Sequence, residues 1–561
     1  MSPASPRSYK LPHNSFRPHQ HESILWADDI QFDRLGNPIP KITEQSTGSG
    51  KSDIAIATSI NRKQTVILTE SRNLQTQYSN IFTDAISLFG RANYPCIHEQ
   101  AKPGATAEDC LHRTNMRDCL CFEVCPYVRQ KASALSSNRT ILNYAYWLTT
   151  FQQWKPAYLV MDEAHNLSDI VLNYVGMTIS EHECKRWGLS RIPVVGEPSR
   201  GMLVQSEYTV TDATKAVNDW LERSVDRLAM LVRYDTHNGQ LTEDGKLAYR
   251  LHQKLENTRR AIGLSVDTNE TEHWYIRSGK QYGSYHGKEE MTLVCKPLTA
   301  RYDFKRLFTK ELRATLLMSA TIGNMKTFAK ELGIKEYDGR VVPNQWKPEE
   351  RPIYVLPITS MGHSKTTNDP ELFNEQARVI AEAILAQPHE WSGLILVTRK
   401  VEAKLLADRL AKYGDLAGRL FIMPGYDGEY TPTEQQVKLL AERMQEVPNT
   451  ICTTWSLWQG FDGVDQKICI VAKVPFPYIA DDFEKERMKY DGGMFLQRTA
   501  WQLEQGLGRT RRGNPSDYDI DGQKNGFVAI ADGSWVRVKK YLSESTREAI
   551  VDYPSKGGIS E

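Results

Sequence analysis

Short runs of consecutive apolar residues mark candidate strands along the chain. They lie at Thr65–Thr69, Tyr158–Met161, Ala314–Met318, Gly393–Val397, Ile451–Thr453, Ile468–Val474 and Gly526–Ala531. Their short length and their Val, Ile and Leu content are typical of strands buried on both faces of a parallel sheet. Helical patterns alternate with these runs, as at Val401–Leu410. The alternation predicts an α/β fold with helices on both faces of its sheets.

Two stretches break the alternation. Residues 91–139 show little regular periodicity. Residues 176–300 show two long helical patterns, which are separated by the turn-forming residues His237, Asn238 and Gly239. We interpret both stretches as insertions into one sheet domain.

The composition is that of an ordinary globular protein. The 561 residues correspond to about four domains at roughly 150 residues each. Seventy Lys and Arg residues oppose 69 Asp and Glu residues, which excludes a histone-like basic coat and an acidic disordered tail but allows a basic nucleic-acid channel. No apolar run approaches the roughly 18 to 20 residues that span a membrane, and the first residues lack the apolar core of a signal peptide. We therefore expect no membrane contact and a cytoplasmic location, associated with the nucleoid, or in the host cytoplasm if the protein is viral.

A glycine-rich segment before an apolar helical pattern predicts a phosphate site. It includes Thr47, Gly48, Ser49, Gly50, Lys51 and Ser52, and it lacks only the first glycine of a P-loop. Glycines let backbone N–H groups turn onto phosphate oxygens, the lysine reaches the β- and γ-phosphates, and the serine hydroxyl binds Mg²⁺. The structural alternative is a turn rich in glycine and serine at the start of a helix.

Two carboxylates follow the candidate strand Tyr158–Met161, at the edge where parallel sheets bind their ligands. There Asp162 is suited to hold Mg²⁺ through water, and Glu163 to orient and deprotonate an attacking water. An acidic helix cap is the alternative, but a P-loop about 110 residues upstream makes that interpretation the weaker one. The two motifs together predict hydrolysis of a nucleoside triphosphate such as ATP.

Residues 162–165 match the DEAH box of the superfamily-two helicases, and further segments resemble that superfamily in the same order. They are Phe16–Gln20 (Q motif), Thr69–Gln75 (motif Ia), Ser319–Thr321 (motif III), Trp455–Asp462 (motif V) and Gln505–Arg512 (motif VI). The resemblance implies that Gln20 contacts adenine. It also implies that motif VI of a second domain supplies the catalytic residues Gln505, Arg509 and Arg512. The two arginines would act on the γ-phosphate, because a guanidinium suits the charge that develops there. A basic surface helix is the alternative for the arginines.

Five of the nine cysteines lie within one stretch of thirty residues, which in a reducing compartment indicates a metal site rather than disulfides. Residues 90–96 and 125–127 resemble the entry and the exit of the iron–sulfur domain of XPD/DinG-like helicases, and residues 143–148 also resemble that group. That resemblance implies a 4Fe–4S cluster, and a four-thiolate zinc site is the alternative. The implied ligands are Cys96, Cys110, Cys119 and Cys125, with Cys121 as the alternative to Cys119. The cysteines expected to be ordinary buried residues are Cys184, Cys295, Cys452 and Cys469.

The same resemblance implies two RecA-like parallel-sheet motor domains, the first of which carries an iron–sulfur insertion and a helical arch insertion. The predicted division is residues 1–90, 140–175 and 301–325 for the first motor domain, 91–139 for the cluster insertion, 176–300 for the arch and 326–561 for the second motor domain. The three parts of the first motor domain carry, in order, the Q motif with the P-loop, the DEAH box and motif III.

The activity that the resemblance implies is that of an ATP- and Mg²⁺-dependent DNA helicase. It would move 5′→3′ on single-stranded DNA and unwind forked or tailed duplexes. Three alternatives remain: a DNA-stimulated ATPase clamp, a cluster-bearing DNA-binding protein without productive unwinding, and an RNA helicase of the DEAH group.

Overall fold

The computed structural model of the chain contains two parallel sheets flanked by helices and a smaller antiparallel sheet. It describes residues 5–46, 49–60, 62, 64–110, 116–195, 209–234, 236–237, 240–282, 289–309, 314–344, 347–362, 365–366, 369–425, 433–458, 466–479, 481–508, 510 and 526–554. The strands are β1 Lys41–Gln45, β2 Thr65–Thr69, β3 Ile86–Ser87, β4 Arg139–Asn143, β5 Tyr158–Met161, β6 Met177–Ser180, β7 Thr236–His237, β8 Gln240–Leu241, β9 Trp274–Tyr282, β10 Glu289–Pro297, β11 Thr315–Ser319, β12 Asp338–Val342, β13 Ile353–Val355, β14 Gly393–Leu396, β15 Leu420–Ile422, β16 Ile451–Thr454, β17 Ile468–Val471, β18 Phe527–Ile530 and β19 Ile550–Asp552.

Helices cover both faces of the parallel sheets. The α-helices are α1 Gln20–Asp28, α2 Lys51–Ser59, α3 Arg72–Ile81, α4 Pro126–Ser136, α5 Tyr144–Thr150, α6 Leu167–Val175, α7 Glu181–Arg186, α8 Val210–Tyr234, α9 Glu243–Thr268, α10 Met325–Glu331, α11 Glu371–Leu385, α12 Lys400–Leu410, α13 Leu416–Arg419, α14 Thr433–Glu446, α15 Asp482–Tyr490, α16 Gly492–Leu507 and α17 Glu544–Ala549. Short 3₁₀ turns lie at Pro6–Tyr9, Arg91–Asn93, Ala107–Asp109, Met116–Asp118, Phe122–Val124, Phe151–Gln153, Ala164–Asn166, Pro348–Glu350, Gly533–Arg537 and Lys539–Tyr541, and a π-helical turn lies at Lys305–Thr309.

The first parallel sheet has the strand order β12-β1-β11-β5-β2-β4-β3. Every residue of β2, β5 and β11 is buried, as their continuous apolar sequences predict. The pairing aligns Met161 of β5 with Leu68 of β2 and Leu317 of β11. The carboxyl ends of these strands therefore lie side by side, and the residues that follow them share one edge of the sheet.

Strand β1 carries mostly polar side chains and still lies buried between β11 and β12, so the search for apolar runs did not identify it. Lys41 is 2% exposed because its ammonium group pairs with Asp338 of β12 at 2.6 Å and lies over the Trp26 ring. This pairing also brings β12 into the first sheet, although the predicted division assigned residues 326–561 to the second motor domain. The residues of β12 alternate between partly buried and exposed positions, so this strand contains no apolar run that would have predicted it.

The second parallel sheet has the order β15-β16-β14-β17-β18-β13-β19. Its predicted strands are found with small shifts at their ends: the run Ile468–Val474 ends as a strand at Val471. Helix α16 packs against β17 and ends at Leu507, with Gly508 as its C-terminal cap directly before the first predicted motif VI arginine. This helix therefore connects the second sheet to the edge of the first.

Within residues 176–300 the structure contains the two predicted long helices, α8 and α9, which pack along each other. It also contains an antiparallel sheet, β6-β10-β9, that the sequence interpretation missed. Strands β9 and β10 carry charged residues and Gly279 among their apolar ones, so they gave neither a continuous apolar run nor a helical period. The pair β7 and β8 flanks the predicted turn, of which Asn238 and Gly239 lie outside the described residues.

One smaller expectation is confirmed within the described part of the chain. The cysteines outside the cluster stretch are buried, namely Cys184, Cys295, Cys452 and Cys469. None of the helices that the structure describes has both the length and the apolar character needed to cross a bilayer.

Candidate functional site

The P-loop connects the end of β1 to the start of α2. Gly50 caps α2 with a left-handed backbone, φ +86°, and a Cβ there would lie 2.3 Å from the Gln20 side-chain nitrogen. Only glycine avoids both the strain and the overlap. The Lys51 ammonium donates to the Gln45 carbonyl oxygen at 3.3 Å, which holds it at the mouth of the loop. Two predicted phosphate-contacting residues, Thr47 and Gly48, lie outside the described residues.

The Q-motif glutamine is buried against this loop. Its side-chain N–H donates to Asp53 of α2 at 2.8 Å, and its oxygen accepts from the backbone N–H of Arg17 at 3.0 Å. Gln20 is 2% exposed. The glutamine therefore joins the segment before α1 to the helix that follows the P-loop. Its predicted contact with adenine stays a prediction.

The DEAH carboxylates follow β5 at the shared sheet edge. Asp162 is 2% exposed and accepts hydrogen bonds from the Tyr78 hydroxyl and the Glu163 backbone N–H, each at 2.9 Å. Burial and the neighbouring Glu163 raise the pKa of Asp162 to about 6, while the Lys51 charge opposes the shift. The P-loop lysine and the DEAH carboxylates, predicted from separate motifs, thus lie within electrostatic reach of one another. Glu163 has a left-handed backbone, φ +52°, a strained conformation that is common at functional sites.

The DEAH histidine joins these carboxylates to motif III. His165 Nδ1 lies 2.7 Å from the Ser319 hydroxyl, and that hydroxyl lies 3.5 Å from a Glu163 carboxylate oxygen. Burial, with a smaller effect of Lys51, lowers the pKa of His165 to about 4. The imidazole is therefore neutral near pH 7 and orients the Ser319 hydroxyl and Glu163 through hydrogen bonds rather than charge.

The second sheet domain contacts motif III from across the cleft. Gln505 donates from its side-chain nitrogen to the Thr321 hydroxyl at 3.2 Å. Trp501, one turn earlier, donates to the Ile322 carbonyl oxygen at 2.8 Å. The predicted motif VI arginines, at positions 509 and 512, lie outside the described residues.

Sequence reasoning missed three groups around this site. Tyr144 donates to the Asp162 backbone carbonyl at 2.7 Å, and Tyr78 hydrogen-bonds both Asp162 and Ser52. Desolvation and the nearby Glu163 raise the pKa of Glu70 to about 7. The signal for Tyr78 was weak, since it is a single aromatic on the polar helix α3. Glu70 follows β2 directly, so its place at a strand's carboxyl end was the available clue.

The five clustered cysteines line one small cavity, together with Met116, Phe122 and Val128. None of these five cysteines, all of which the structure describes, forms a disulfide. In the described ranges, no three His, Cys, Asp or Glu side chains lie close enough together to hold a metal ion. The chain therefore places sulfur donors around one small cavity, as a thiolate-bound cluster requires. In the described residues these donors are farther apart than they would be around a bound metal ion.

This segment is tied to the long helix α9 by ion pairs. Lys246 pairs with Asp109, and Arg250 pairs with Glu108 at 3.1 Å. Both acidic residues directly precede Cys110, so α9 fixes the backbone on one side of the cavity.

Two parallel sheets, with the P-loop, DEAH and motif III segments at the edge where they meet, are the arrangement of a RecA-like fold. No family model matches the chain. It is 22% identical over 612 aligned positions to the ATP-dependent DNA helicase YoaA of Haemophilus influenzae, covering 90% of this chain and 89% of that protein. It is 21% identical to the protein of the same name from Escherichia coli, covering 93% and 92%.

Solved structures agree on the fold. An XPD helicase superposes with a TM-score of 0.54 at 14% identity, covering 95% of this chain and 98% of that one. Xpd4 of S. tokodaii gives a TM-score of 0.50 at 13% identity, covering 96% and 100%. The predicted resemblance to XPD/DinG-like superfamily-two helicases and the fold of two RecA-like sheets are confirmed.

The backbone at Gly50 yields a test of the P-loop. Gly50→Ala is expected to lower nucleotide affinity by about tenfold or more, because the added Cβ overlaps Gln20 at the phosphate loop. Gly36→Ala is the matched control: it also has a left-handed backbone, φ +77°, but nothing lies within 4 Å of its Cβ. Titration of a fluorescent ATP analogue measures the affinity. Equal affinity in both variants would contradict the assignment of this loop.

Burial of Glu44 yields a pH-dependent test. Burial and the charge of Glu504 raise the pKa of Glu44 to about 7, above its ordinary value of 4.5. The ionised form therefore opposes folding at a cost that is absent below pH 4.5 and complete above pH 7. Glu44→Gln, which still accepts the Ile322 N–H, is expected to raise the melting temperature by roughly 2 to 4 °C at pH 8 and by nothing at pH 4.5.

Differential scanning calorimetry at both pH values measures this difference. The exposed Glu336→Gln serves as the control for loss of one carboxylate. A gain of the same size at both pH values would show that ionisation of Glu44 is not its origin.

Proposed function

We propose that the chain is an ATP-hydrolysing DNA helicase that moves on single-stranded DNA and separates duplexes. One observation carries the proposal: Lys51, the DEAH carboxylates and motif III meet at one sheet edge, and Gln505 of the other sheet domain contacts that edge. Two relatives named as ATP-dependent DNA helicases, each aligned over about nine-tenths of the chain, support it.

In the proposed reaction, Lys51 binds the β- and γ-phosphates of ATP, and Ser52 and Asp162 would hold Mg²⁺. The metal supplies positive charge to the phosphate oxygens. Glu163 orients the attacking water and accepts its proton, and the neutral His165 and Ser319 fix the Glu163 carboxylate.

Charge on the γ-phosphate is stabilised from the second domain. Gln505 lies at motif III, and we assign Arg509 and Arg512, which follow its helix, to the γ-phosphate. The two sheet domains would then close when ATP binds and open again after ATP is hydrolysed. This alternation moves the two domains along the strand, and we infer a 5′→3′ direction.

We also propose a 4Fe–4S cluster held by Cys96, Cys110, Cys119 and Cys125. The shared cavity and the four-thiol donor set support it. The cluster would join 3₁₀ turns that have little apolar core of their own. We retain the predicted division into motor, cluster and arch segments as part of this proposal, with the first sheet extended to include β12.

Strand separation is the direct test of the activity. Wild-type protein with ATP is expected to unwind a 5′-tailed DNA duplex but neither a 3′-tailed DNA duplex nor tailed RNA. Glu163→Gln is expected to lower ATP turnover by at least about a hundredfold while ATP still binds, because the general base is lost.

Each other outcome has a defined meaning. DNA-stimulated ATP turnover without unwinding would favour a clamp, and unwinding of RNA alone would favour a DEAH RNA helicase. Unwinding of only 3′-tailed DNA would overturn the proposed direction.

The cluster has its own measurement. Protein purified without oxygen is expected to be yellow-brown and to contain about four irons and four sulfides per chain. Cys119→Ser is expected to lose the colour, whereas Cys121→Ser is expected to keep it. A colourless protein that contains zinc would overturn the cluster, and the reverse pattern in the two variants would exchange the assigned ligand.

A further inference from the structure

Helix α16 presents one face to the first sheet domain. Arg498, Trp501 and Gln505 stand at positions i, i+3 and i+7, which share a face of an α-helix. Trp501 and Gln505 contact the DEAH histidine and motif III, respectively. Arg498 extends this face away from the nucleotide site, where its guanidinium lies 3.5 Å from a carboxylate oxygen of Asp169. The Asp169 contact lies on α6, the helix that follows the DEAH turn.

A second arginine of the same domain holds the other oxygen of that carboxylate. Arg487 of α15 donates from Nη1 to Asp169 at 2.8 Å and from Nη2 to the Ser168 hydroxyl at 2.9 Å. Its side chain is 5% exposed. Two consecutive helices of the second domain therefore grip the first turn of α6.

The Arg487 guanidinium also connects to a buried acid on another part of the first domain. Its Nη2 lies 3.6 Å from Glu331 of α10, whose side chain is 4% exposed. Glu331 accepts hydrogen bonds from the Ser168 hydroxyl and, at 2.9 Å, from the Thr299 hydroxyl. The charged group thus joins α6, α10 and the segment after β10 to the second domain.

Charge and geometry both favour this arrangement over chance contact. Arg498 is also bonded to Glu484 at 2.9 Å within its own domain, so its guanidinium is oriented before it meets Asp169. Burial acts to raise the pKa of Asp169, yet the charges of Arg498 and Arg487 lower it below its ordinary value. Arg487 and Glu331 are buried, whereas the Asp169 side chain is 46% exposed. Such ion pairs contribute little net stability compared with apolar packing but fix geometry, which is a reason to look for a positional role.

We propose that Asp169, Arg487 and Arg498 are positioning residues. They align α16, the helix that leads into motif VI, with the turn Ala164–Asn166 of the DEAH box during ATP hydrolysis. None of the three reaches the reacting atoms in this role. Asp169 lies on α6, which begins shortly after His165, and Arg498 lies on α16, which ends two residues before Arg509 in the sequence. The proposal rests on the proposed ATPase function and adds that the alignment is set by charge at a distance from the phosphates.

The test separates alignment from binding and from folding. Asp169→Asn and Arg498→Gln are expected to lower kcat for DNA-stimulated ATP hydrolysis by about ten- to a hundredfold, because small misplacements of catalytic groups have effects of that size. KM for ATP and the melting temperature are expected to stay near wild type, and Asp169→Glu, which keeps the charge, is expected to recover most of the rate. Arg378→Gln removes exposed ion pairs on α11 of the same domain and is the matched control.

Nucleotide-free hydrogen exchange provides the independent readout. Asp169→Asn is expected to speed exchange in α6 and in the first turns of α16, whereas Arg378→Gln leaves both unchanged. A wild-type kcat in both Asp169→Asn and Arg498→Gln would overturn the proposal. A loss of rate accompanied by a matching fall in melting temperature would also overturn it. If the wild-type protein itself hydrolyses no ATP, the proposed function is wrong, and hydrogen exchange alone then tests the contact of Asp169 with the two arginines. Equal exchange in Asp169→Asn and wild type would overturn that contact.

Discussion

Trp501 of the second sheet domain sits where the two sheets meet, and the candidate site depends on that contact. Its ring lies edge-on to the DEAH imidazole with centroids 6.0 Å apart, and its N–H donates to the backbone after motif III. The side chain is 4% exposed, so the contact is sealed from water. Because Trp501 and Gln505 lie on one helical face, a shift of α16 would move both contacts together.

The same junction concentrates acidic groups that are costly to bury. Burial raises the pKa of Asp162, Glu44 and Glu70 above the ordinary range of carboxylates, and neighbouring acids add to each shift. Buried carboxylates whose negative charge is only partly balanced favour the binding of a cation. Lys51 provides part of that charge in the protein itself, and a divalent cation beside the phosphates would provide the rest.

Local sequence was sufficient for those parts of the fold whose causes are local. Apolar runs such as Thr65–Thr69 are strands, and the P-loop and DEAH box stand at strand ends as their motifs predict. Strand β1 was missed because its residues are mostly polar, and one of them, Lys41, is buried by pairing with Asp338 of β12, about 300 positions away in sequence. Tyr78, Tyr144 and the charged contacts of Asp169 were missed for the same reason: their partners are set by packing between elements, which no short motif encodes.

The central claim is that ATP is hydrolysed between the two sheet domains, with charge supplied by the second. The most direct measurement compares ATP binding and single-turnover hydrolysis, in the presence of single-stranded DNA, for wild-type protein and Arg512→Ala. The account predicts that ATP binds with nearly unchanged affinity and that turnover falls at least about tenfold, because only the guanidinium that stabilises the transition state is lost. Unchanged turnover in Arg512→Ala would contradict it.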